Sequence, residues 1–211
     1  RNPYLGPVYQ EDQIKKQINL YCKNNVKKFS NQKLTKDVAY LLSKGCIVAW
    51  FQGGSEFGPR ALGARSFLAD PRKDSIREEI NKKIKKRELF RPFAPSVLEE
   101  DVADYFDFTQ KSPYMNIVTK VRSSYKNKIP AVTHIDGTAR VHTVSKKVNP
   151  IYYLLLKQFK EITGIPVLLN TSFNIQEPIV ETPSNAFKSF KSSGVDCLAI
   201  GPYLIHRKDL K

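Results

Sequence analysis

The segment 50–72 combines glycines with arginines in a spacing that suits an anionic ligand. A short apolar run, Cys46–Phe51, precedes it, and three glycines and a proline follow before Arg60 and Arg65. Glycine lets backbone N–H groups come close to a ligand, and a helix beginning near Pro59 would leave its first N–H groups free. Arginine adds planar groups that match phosphate and carboxylate oxygens. The pattern predicts an anion site, although a glycine-rich turn with solvated arginines would have the same composition.

Two further stretches carry charged or polar side chains that a hydrophobic core does not require. Lys85-Lys86-Arg87 lies at the cationic end of a predicted helix and runs into the proline-containing loop Arg91–Pro95, which can hold side chains still. The stretch Thr133–Thr143 collects two histidines, an aspartate, hydroxyl groups and an arginine around one glycine. It contains no His-Glu-x-x-His or Cys/His pair, so a metal site is not indicated. Histidine as a general acid or base and a turn with incidental polar residues both remain open.

A polar cluster, Asn170–Asn174, comes directly after a short apolar run. In α/β sheets, ligands bind beyond the carboxyl ends of strands, so this cluster lies where a site is expected. Asn and Ser side chains could equally satisfy the backbone of a turn. The sequence has no Gly-x-x-x-x-Gly-Lys-Ser/Thr loop, no Gly-x-Gly-x-x-Gly fingerprint and no Gly-x-Ser-x-Gly elbow. Any nucleotide chemistry would therefore require an unusual phosphate site.

The spacing of apolar residues predicts the helices and strands that hold these segments. Helices are expected over Asp12–Asn24, Leu34–Lys44, Asp74–Arg87, Asn149–Thr163 with Gly164 as terminator, and Pro183–Lys191. Strands are expected over Cys46–Phe51, Ser96–Leu98, Met115–Val121, Pro166–Asn170, Cys197–Ile200 and Tyr203–His206. We therefore expect one α/β domain with mixed strands over residues 1–211.

Composition limits the class of protein. The chain has 211 residues, of which 41% are hydrophobic and 26% charged, as in soluble globular proteins. No apolar stretch approaches the roughly 20 residues of a membrane span, and the N-terminus lacks signal-peptide character. Cys22, Cys46 and Cys197 are far apart, which fits a reducing compartment, so we expect a cytoplasmic protein without membrane partners. The net charge of +15 attracts polyanions, although lysine runs usually form solvated helix faces.

Taken in order, these segments resemble the C-terminal domain of the O-carbamoyltransferases, the family of nodulation-factor and antibiotic carbamoyltransferases. The matching blocks are S-E-F-G-P-R-A-L-G-A-R-S, I-N-K-K-I-K-K-R-E-L-F-R-P-F-A-P-S-V, S-P-Y-M, P-A-V-T-H-I-D-G-T-A-R, L-L-N-T-S-F-N and E-P-I-V. The resemblance covers nearly the whole chain. It implies a YrdC-like α/β fold, in which a twisted mixed sheet is flanked by helices.

The resemblance also implies an activity. In such enzymes this domain uses ATP and carbamoyl phosphate to make carbamoyl adenylate, with Mg²⁺ accompanying ATP through ligands that the sequence leaves unknown. A separate N-terminal domain with an actin-like fold then passes the carbamoyl group to a small-molecule hydroxyl. No part of that domain is recognisable here, so we expect the chain to be a C-terminal domain or fragment. Nucleic acid is not an expected partner.

Ten residues are candidates for this chemistry. Lys85-Lys86-Arg87 and Ser172-Phe173-Asn174 resemble the Lys-x-Arg and Ser-x-Asn motifs that line the nucleotide site of threonylcarbamoyl-AMP synthases. Because the substrates bring several negative charges together, cationic side chains are the expected means of catalysis. The expected catalytic residues are Lys85, Arg140 and His134, and the residues expected to bind ATP or carbamoyl phosphate are Arg60, Arg65, Arg87, Arg91, Asn170, Ser172 and Asn174.

The chain departs from the family pattern at four places. Members of the family commonly have arginine where this chain has Gly54, Asn or His at Ala64, and Gln at His142. The loop Ile175–Glu177 also lacks a glycine before Glu-Pro. These differences bear on the substrate contacts of the rim.

Two other functions remain open. A non-catalytic basic module that binds RNA or another polyanion would explain the charge without any chemistry. Its weakness is that Tyr152 and Tyr153 lie at helical core spacing rather than interleaved with basic residues for base stacking. The other alternative is a threonylcarbamoyl-AMP synthase of tRNA modification. The sequence blocks above match that family less well than they match the carbamoyltransferases.

Overall fold

Short apolar runs form the eight strands of one mixed sheet in the computed structural model, which describes residues 2–211. The strands are β1 Val48–Phe51, β2 Arg65–Ala69, β3 Ala94–Leu98, β4 Ile117–Lys120, β5 Thr138–Val144, β6 Val167–Ser172, β7 Cys197–Ile200 and β8 Tyr203–His206. Their order across the sheet is β4-β5-β3-β6-β2-β1-β7-β8. The pairs β1/β7 and β3/β5 are parallel, and the other neighbouring pairs are antiparallel.

The helices follow the amphipathic segments of the sequence. They are α1 Glu11–Tyr21, α2 Asn31–Ser43, α3 Ser75–Glu79, α4 Val102–Tyr105, α5 Pro150–Thr163 and α6 Pro183–Ser193, with a π-helical segment at Ile80–Ile84. The side chain of Asn149 accepts a hydrogen bond from the N–H of Tyr152 at the start of α5, and Gly164 ends that helix with a φ of 74°. Helix α2 packs on α5 and α1 packs on α6.

Burial of the strands explains why their sequence shows so little alternation. Every residue of β1, β2, β3 and β7 is buried, as expected for strands covered on both faces. Trp50 and Phe67 are fully buried, and each such side chain stabilises the fold by about 1.5–3 kcal/mol. This rigid sheet carries the loops at its rim.

Two predicted elements were wrong in detail. No helix begins near Pro59; residues 52–64 form an irregular loop that leads into β2, a strand which the glycine-arginine spacing concealed. The helix predicted to reach Arg87 ends at Ile84, because it widens into a π-helix in which the N–H of Lys85 donates to Ile80 O at 2.8 Å.

The segment Thr133–Thr143 was expected as a polar cluster without assigned secondary structure, but most of it belongs to the long strand β5. β5 lies between β4 and β3, so its polar side chains are held in register by two neighbours. The parallel pair β3/β5 also presents its amino ends, rather than its carboxyl ends, beside the end of the antiparallel β6. The polar cluster of β6 therefore faces loops that the rule for parallel sheets does not predict.

Candidate functional site

A cavity of about 650 Å³ lies at the rim of the sheet where the amino ends of β3 and β5 meet the end of β6. It brings together nine of the ten candidate residues, and Arg65 alone does not join them. Six cationic side chains line it, and none of the described lining residues is acidic. The cations are Arg60, Lys85, Lys86, Arg87, Arg91 and Arg140. Glu177 and Glu88 act on the charges of Lys85 and Arg87 but do not line the cavity, and such a concentration of positive charge in the lining suits a multiply charged anion.

Lys85 is the most buried of these cations, with 4% of its surface exposed. Its Nζ donates to Ser172 O at 2.6 Å, to Asn174 O at 2.8 Å and to Asn174 Oδ1 at 2.8 Å. Ser172 Oγ in turn donates to Asn174 Oδ1 at 2.6 Å. The Lys-x-Arg segment and the Ser-x-Asn turn, distant in sequence, are thus joined by a single ammonium group.

Burial lowers the pKa of Lys85 to about 7, with further lowering by the charges of Arg87 and Arg91. A bound phosphate favours the protonated form, so we expect anion binding near pH 8 to take up protons and affinity to fall as the pH rises above 7. Calorimetric titration with ATP in buffers of different ionisation enthalpy measures that uptake, and heats that are independent of the buffer would contradict it.

In the ligand-free protein the lowered pKa of Lys85 also affects stability. Between about pH 7 and 10.5 the unfolded chain binds more protons than the folded one, so this group makes the free energy of unfolding rise with pH across that window.

Arg87 is held from one side. Its Nε donates to Asn81 Oδ1 at 2.7 Å, and its guanidinium lies 4.9 Å from the ring centre of Phe93. Burial and the neighbouring charge of Arg91 lower its pKa to about 10. Arg91 and Lys86 are exposed at the mouth of the cavity.

Arg140 enters from β5 opposite Val118 of β4. Its Nε is buried without a hydrogen-bond partner among the described residues, and its Nη2 lies 4.0 Å from the sulfur of Met115. Burial lowers the pKa of Arg140, as does the charge of Arg60, which is exposed on the 52–64 loop. A poorly partnered guanidinium at a cavity wall is suited to receive an oxyanion.

His134 lines the cavity just before β5. Its Nδ1 lies 3.1 Å from Thr138 Oγ1, and the Thr138 N–H and hydroxyl both donate to Asp136. Burial lowers the pKa of His134, and so does Arg140, while Asp136 raises it. The imidazole is therefore largely neutral at pH 7, which suits a group that orients a ligand or accepts a proton.

Asn170 lies on β6 with only 2% of its surface exposed, and it connects the sheet to the 52–64 loop. Its Nδ2 donates to Ala61 O at 3.0 Å and to Ser96 Oγ at 2.9 Å. Ser96 Oγ lies 2.8 Å from Nδ1 of His142, whose pKa burial lowers to about 3. His142, one of the four departures from the family pattern, is thus a neutral core residue. It is connected to the cavity through the side chains of Ser96 and Asn170.

Arg65 is fully buried away from the cavity. Its guanidinium donates to the carbonyl oxygens of Gln52, Ala64 and Gly53 at 3.1 Å each and lies 3.6 Å from the ring centre of Phe51. These contacts give it a role inside the 52–64 loop rather than at the mouth of the cavity.

Glu56 organises the same loop and was missed in the sequence, where a lone glutamate among glycines gives no signal. Its Oε1 accepts from the backbone N–H groups of Leu62 and Ala64 at 2.7 Å each and of Arg65 at 3.1 Å. The charge of Glu56 also compensates the buried charge of Arg65. Arg60 lies inside the turn that this carboxylate closes.

We expect Glu56→Ala to destabilise the protein by about 3–5 kcal/mol, because three backbone N–H groups lose their acceptor and the buried charge of Arg65 loses its largest compensating charge, keeping that of Glu181. Glu56→Gln keeps one acceptor oxygen and should cost about 1–2 kcal/mol. Urea unfolding followed by circular dichroism gives both values. Equal losses in the two variants would contradict the assignment of the carboxylate charge to Arg65.

Gly54, where the resemblance led us to expect arginine, is buried under the N-terminal segment. A Cβ at this position would lie 2.7 Å from Gly6 O. The path of residues 3–8 therefore occupies the space that a larger side chain would need.

Comparisons with known proteins identify the family and the fold of this chain. The sequence family described as "Carbamoyltransferase C-terminus" matches residues 39–207. The chain belongs to the carbamoyltransferase C-terminal family. This confirms the resemblance drawn from the sequence blocks.

Relatives of the carbamoyltransferase family are close over most of this chain. It is 48% identical to Nodulation protein NolO of Bradyrhizobium diazoefficiens, over 83% of this chain and 33% of the relative. It is 44% identical to Nodulation protein NolNO of Sinorhizobium fredii, over 97% of this chain and 31% of the relative. The chain spans about a third of the length of these curated relatives.

Solved structures confirm the fold. Full-length HypF, in its phosphate- and nucleotide-bound form, superposes with a TM-score of 0.54 at 22% identity over 83% of this chain and 21% of that one. A Sua5 variant from P. abyssi superposes with a TM-score of 0.57 at 13% identity over 83% of this chain and 50% of that one. The expected YrdC-like α/β fold is therefore confirmed.

Two further observations concern metals and membranes. Within residues 2–211, no group of three or more His, Cys, Asp or Glu side chains could hold a metal ion. Since the described cavity lining also lacks carboxylates, the residues present do not fit a resident Mg²⁺ site. None of the described helices combines the length and apolarity needed to cross a bilayer.

Proposed function

We propose that this chain forms carbamoyl adenylate from ATP and carbamoyl phosphate. Water hydrolyses carbamoyl phosphate to carbamate and inorganic phosphate. A carbamate oxygen then attacks the α-phosphorus of ATP, and the α–β bridging bond breaks to release pyrophosphate. The acceptor is expected to be a small-molecule hydroxyl reached through a further domain. We also propose that the protein is cytoplasmic and that Mg²⁺ enters as part of the ATP substrate.

The observation that carries the proposal is the cavity with six cations and no acidic lining residue among those described. ATP and a carbamoyl phosphate together place several negative charges in one space, and these must be neutralised before an oxyanion can approach phosphorus. Membership of the carbamoyltransferase C-terminal family supports the carbamoyl group as the one transferred. The phosphate- and nucleotide-bound HypF, which shares the fold, supports a nucleotide as the ligand.

The contacts suggest a division of roles. Arg140, with its poorly partnered guanidinium, would bind the α-phosphate where charge develops. Lys85 would act mainly by fixing Ser172 and Asn174, since its ammonium donors are already engaged by their oxygens. Arg60 would contact carbamoyl phosphate from the loop. Arg65 is better assigned to the support of that loop.

Histidine and asparagine complete the proposed site. His134, largely neutral and half-buried, would orient the carbamoyl group or accept a proton from the attacking water. Arg87 and Arg91 would bind the departing pyrophosphate near the mouth. Asn170 would hold the Arg60 loop in place through Ala61 O.

The deciding experiment is mass spectrometry of the chain incubated with ATP, Mg²⁺ and carbamoyl phosphate, with pyrophosphate release followed in parallel. Formation of carbamoyl adenylate that requires carbamoyl phosphate supports the proposal. The control is an Arg140→Ala, Ser172→Ala double variant, which should yield none. An adenylate formed only with bicarbonate and threonine would instead identify a threonylcarbamoyl-AMP synthase. Failure to bind ATP, with tight binding of RNA, would favour the polyanion module.

A further inference from the structure

Asn81 lies just before the loop 85–91, which carries four of the six cations of the cavity, yet it does not line the cavity itself. The residue is fully buried in the π-helical segment Ile80–Ile84. Its Nδ2 donates to Leu89 O at 3.2 Å and to Arg91 O at 2.9 Å. Its Oδ1 accepts from Arg87 Nε at 2.7 Å. One neutral side chain thus connects the π-helical segment to Arg87 and to the carbonyl groups of Leu89 and Arg91.

The backbone repeats this connection. The N–H of Arg87 donates to Asn81 O at 3.0 Å, directly after the π-type bond from Lys85 N–H to Ile80 O at 2.8 Å. A π-turn inside a helix is uncommon and occurs frequently at functional sites. Here it ends the helix and turns the chain so that Lys85 and Arg87 both reach the cavity.

The orientation of Arg87 depends on which of its nitrogens Asn81 engages. Asn81 takes Nε, and the structure gives neither Nη group a hydrogen-bond partner within residues 2–211. Phe93 covers one face of the guanidinium at 4.9 Å. Both Nη groups are thereby left available to a ligand in the cavity that Arg87 lines.

The neutrality of Asn81 also matters. Lys85, Arg87 and Arg91 are close enough for their charges to repel, since Arg87 and Arg91 both disfavour protonation of Lys85. A carboxylate in place of the amide would pair with Arg87 and cancel charge that the anion needs. An amide oxygen holds the guanidinium without neutralising it.

We propose that Asn81 is the positioning residue for anion binding in this cavity, acting through Arg87 and the 89–91 carbonyl groups. The inference rests on the proposed function for the identity of the anion, a nucleotide polyphosphate. Asn81 acts by presenting the Nη groups of Arg87 and by holding the path of the loop against the repulsion of its own cations.

The test is a double-mutant cycle measured by calorimetric titration with ATP and, separately, with inorganic pyrophosphate. We expect Asn81→Ala to weaken binding of both anions about tenfold, because the Arg87 guanidinium loses its fixed orientation. In an Arg87→Ala background the same change should have a smaller effect, of about two- to threefold, since only the hydrogen bonds from Asn81 to Leu89 O and Arg91 O remain to be lost. Equal effects in the two backgrounds, or no effect in either, would overturn the proposal.

Gln158→Ala is the matched control for lost stability. Gln158 is a buried amide on α5 that donates to Gln32 O of α2 at 3.2 Å, and it does not line the cavity. It should lower Tm as Asn81→Ala does, while leaving both dissociation constants unchanged. A similar loss of affinity in this control would reduce Asn81 to a structural residue and overturn its positioning role.

A measurement on the native protein covers the case in which Asn81→Ala does not fold. The Arg87 Nε–H resonance, assigned by its loss in Arg87→Lys, should exchange slowly with solvent because Asn81 binds it. Fast exchange would overturn the proposal. Binding of ATP and pyrophosphate by the native chain without carbamoyl adenylate formation would refute the proposed reaction and leave the role of Asn81 intact, whereas no anion binding at all would overturn both.

Discussion

Replacement of Arg140 by methionine should greatly slow carbamoyl adenylate formation while making the ligand-free protein more stable. Methionine fills similar space without a half-buried charge whose Nε has no hydrogen-bond partner among the described residues. Removing that charge should stabilise the fold by about 1 kcal/mol, which raises Tm by about 2–4 °C for a chain of this size. Loss of a preorganised cation at the reacting phosphate should cost about 2–4 kcal/mol of transition-state stabilisation, or about 30- to 1000-fold in kcat/KM.

Opposite changes in stability and activity are the signature of a residue kept for its ligand rather than for the fold. Arg122→Met is the control, because Arg122 is exposed and its Nε donates only to Ala103 O in the structure. Calorimetry of unfolding and the pyrophosphate-release assay give the two readouts. A drop in Tm for Arg140→Met, with activity lost, would mean that the guanidinium is structural and that its assignment to phosphate is mistaken. Arg140→Lys should recover only part of the activity, because lysine lacks the planar fork.

Replacement of Lys85 by methionine should reduce both activity and stability. The change removes the ammonium donor of Ser172 O, Asn174 O and Asn174 Oδ1. Ser172 O still accepts from the N–H of Asn174, and Asn174 Oδ1 still accepts from the Ser172 hydroxyl, so Asn174 O is the acceptor left unsatisfied, at a cost of about 1–3 kcal/mol. Without the ammonium the Ser-x-Asn turn loses the group that fixes it. We therefore expect ATP binding to weaken and kcat/KM to fall by about 100-fold or more.

The control for Lys85 lies on the same helical segment. Lys82 is exposed and stands three residues before Lys85 in the sequence. Lys82→Met therefore removes one positive charge nearby without altering a contact to the Ser-x-Asn turn. It should retain native affinity and stability, measured by ATP titration and urea unfolding. Native-like ATP affinity in Lys85→Met would exclude the coupling of the two motifs through this ammonium group. Loss of affinity in both variants would indicate that long-range charge, rather than the specific contacts, determines binding.

The sequence predicted a set of candidate site residues, and the fold brings most of them together. Nine of the ten candidate residues line one cavity, because chemistry of this kind concentrates cations and polar turns that a core does not need. Arg65 was the exception, since a sequence cannot distinguish an arginine that binds backbone carbonyls from one that binds phosphate. Glu56 and Asn81 were overlooked because the sequence does not show which backbone groups or side chains they bind. Their importance comes from partners up to ten residues away that only the folded loops supply.

Local periodicity and composition were enough to predict the class of fold, the helices α2 and α5 and the cationic and polar segments. Which of those segments come into contact depends on the tertiary structure. Lys85 and Asn174 are 89 positions apart in sequence, and Asn170 reaches Ala61 across 109. Such contacts are fixed by strand order and by the satisfaction of buried polar groups. Neither leaves a periodic trace in the chain, since each depends on the whole sheet having formed.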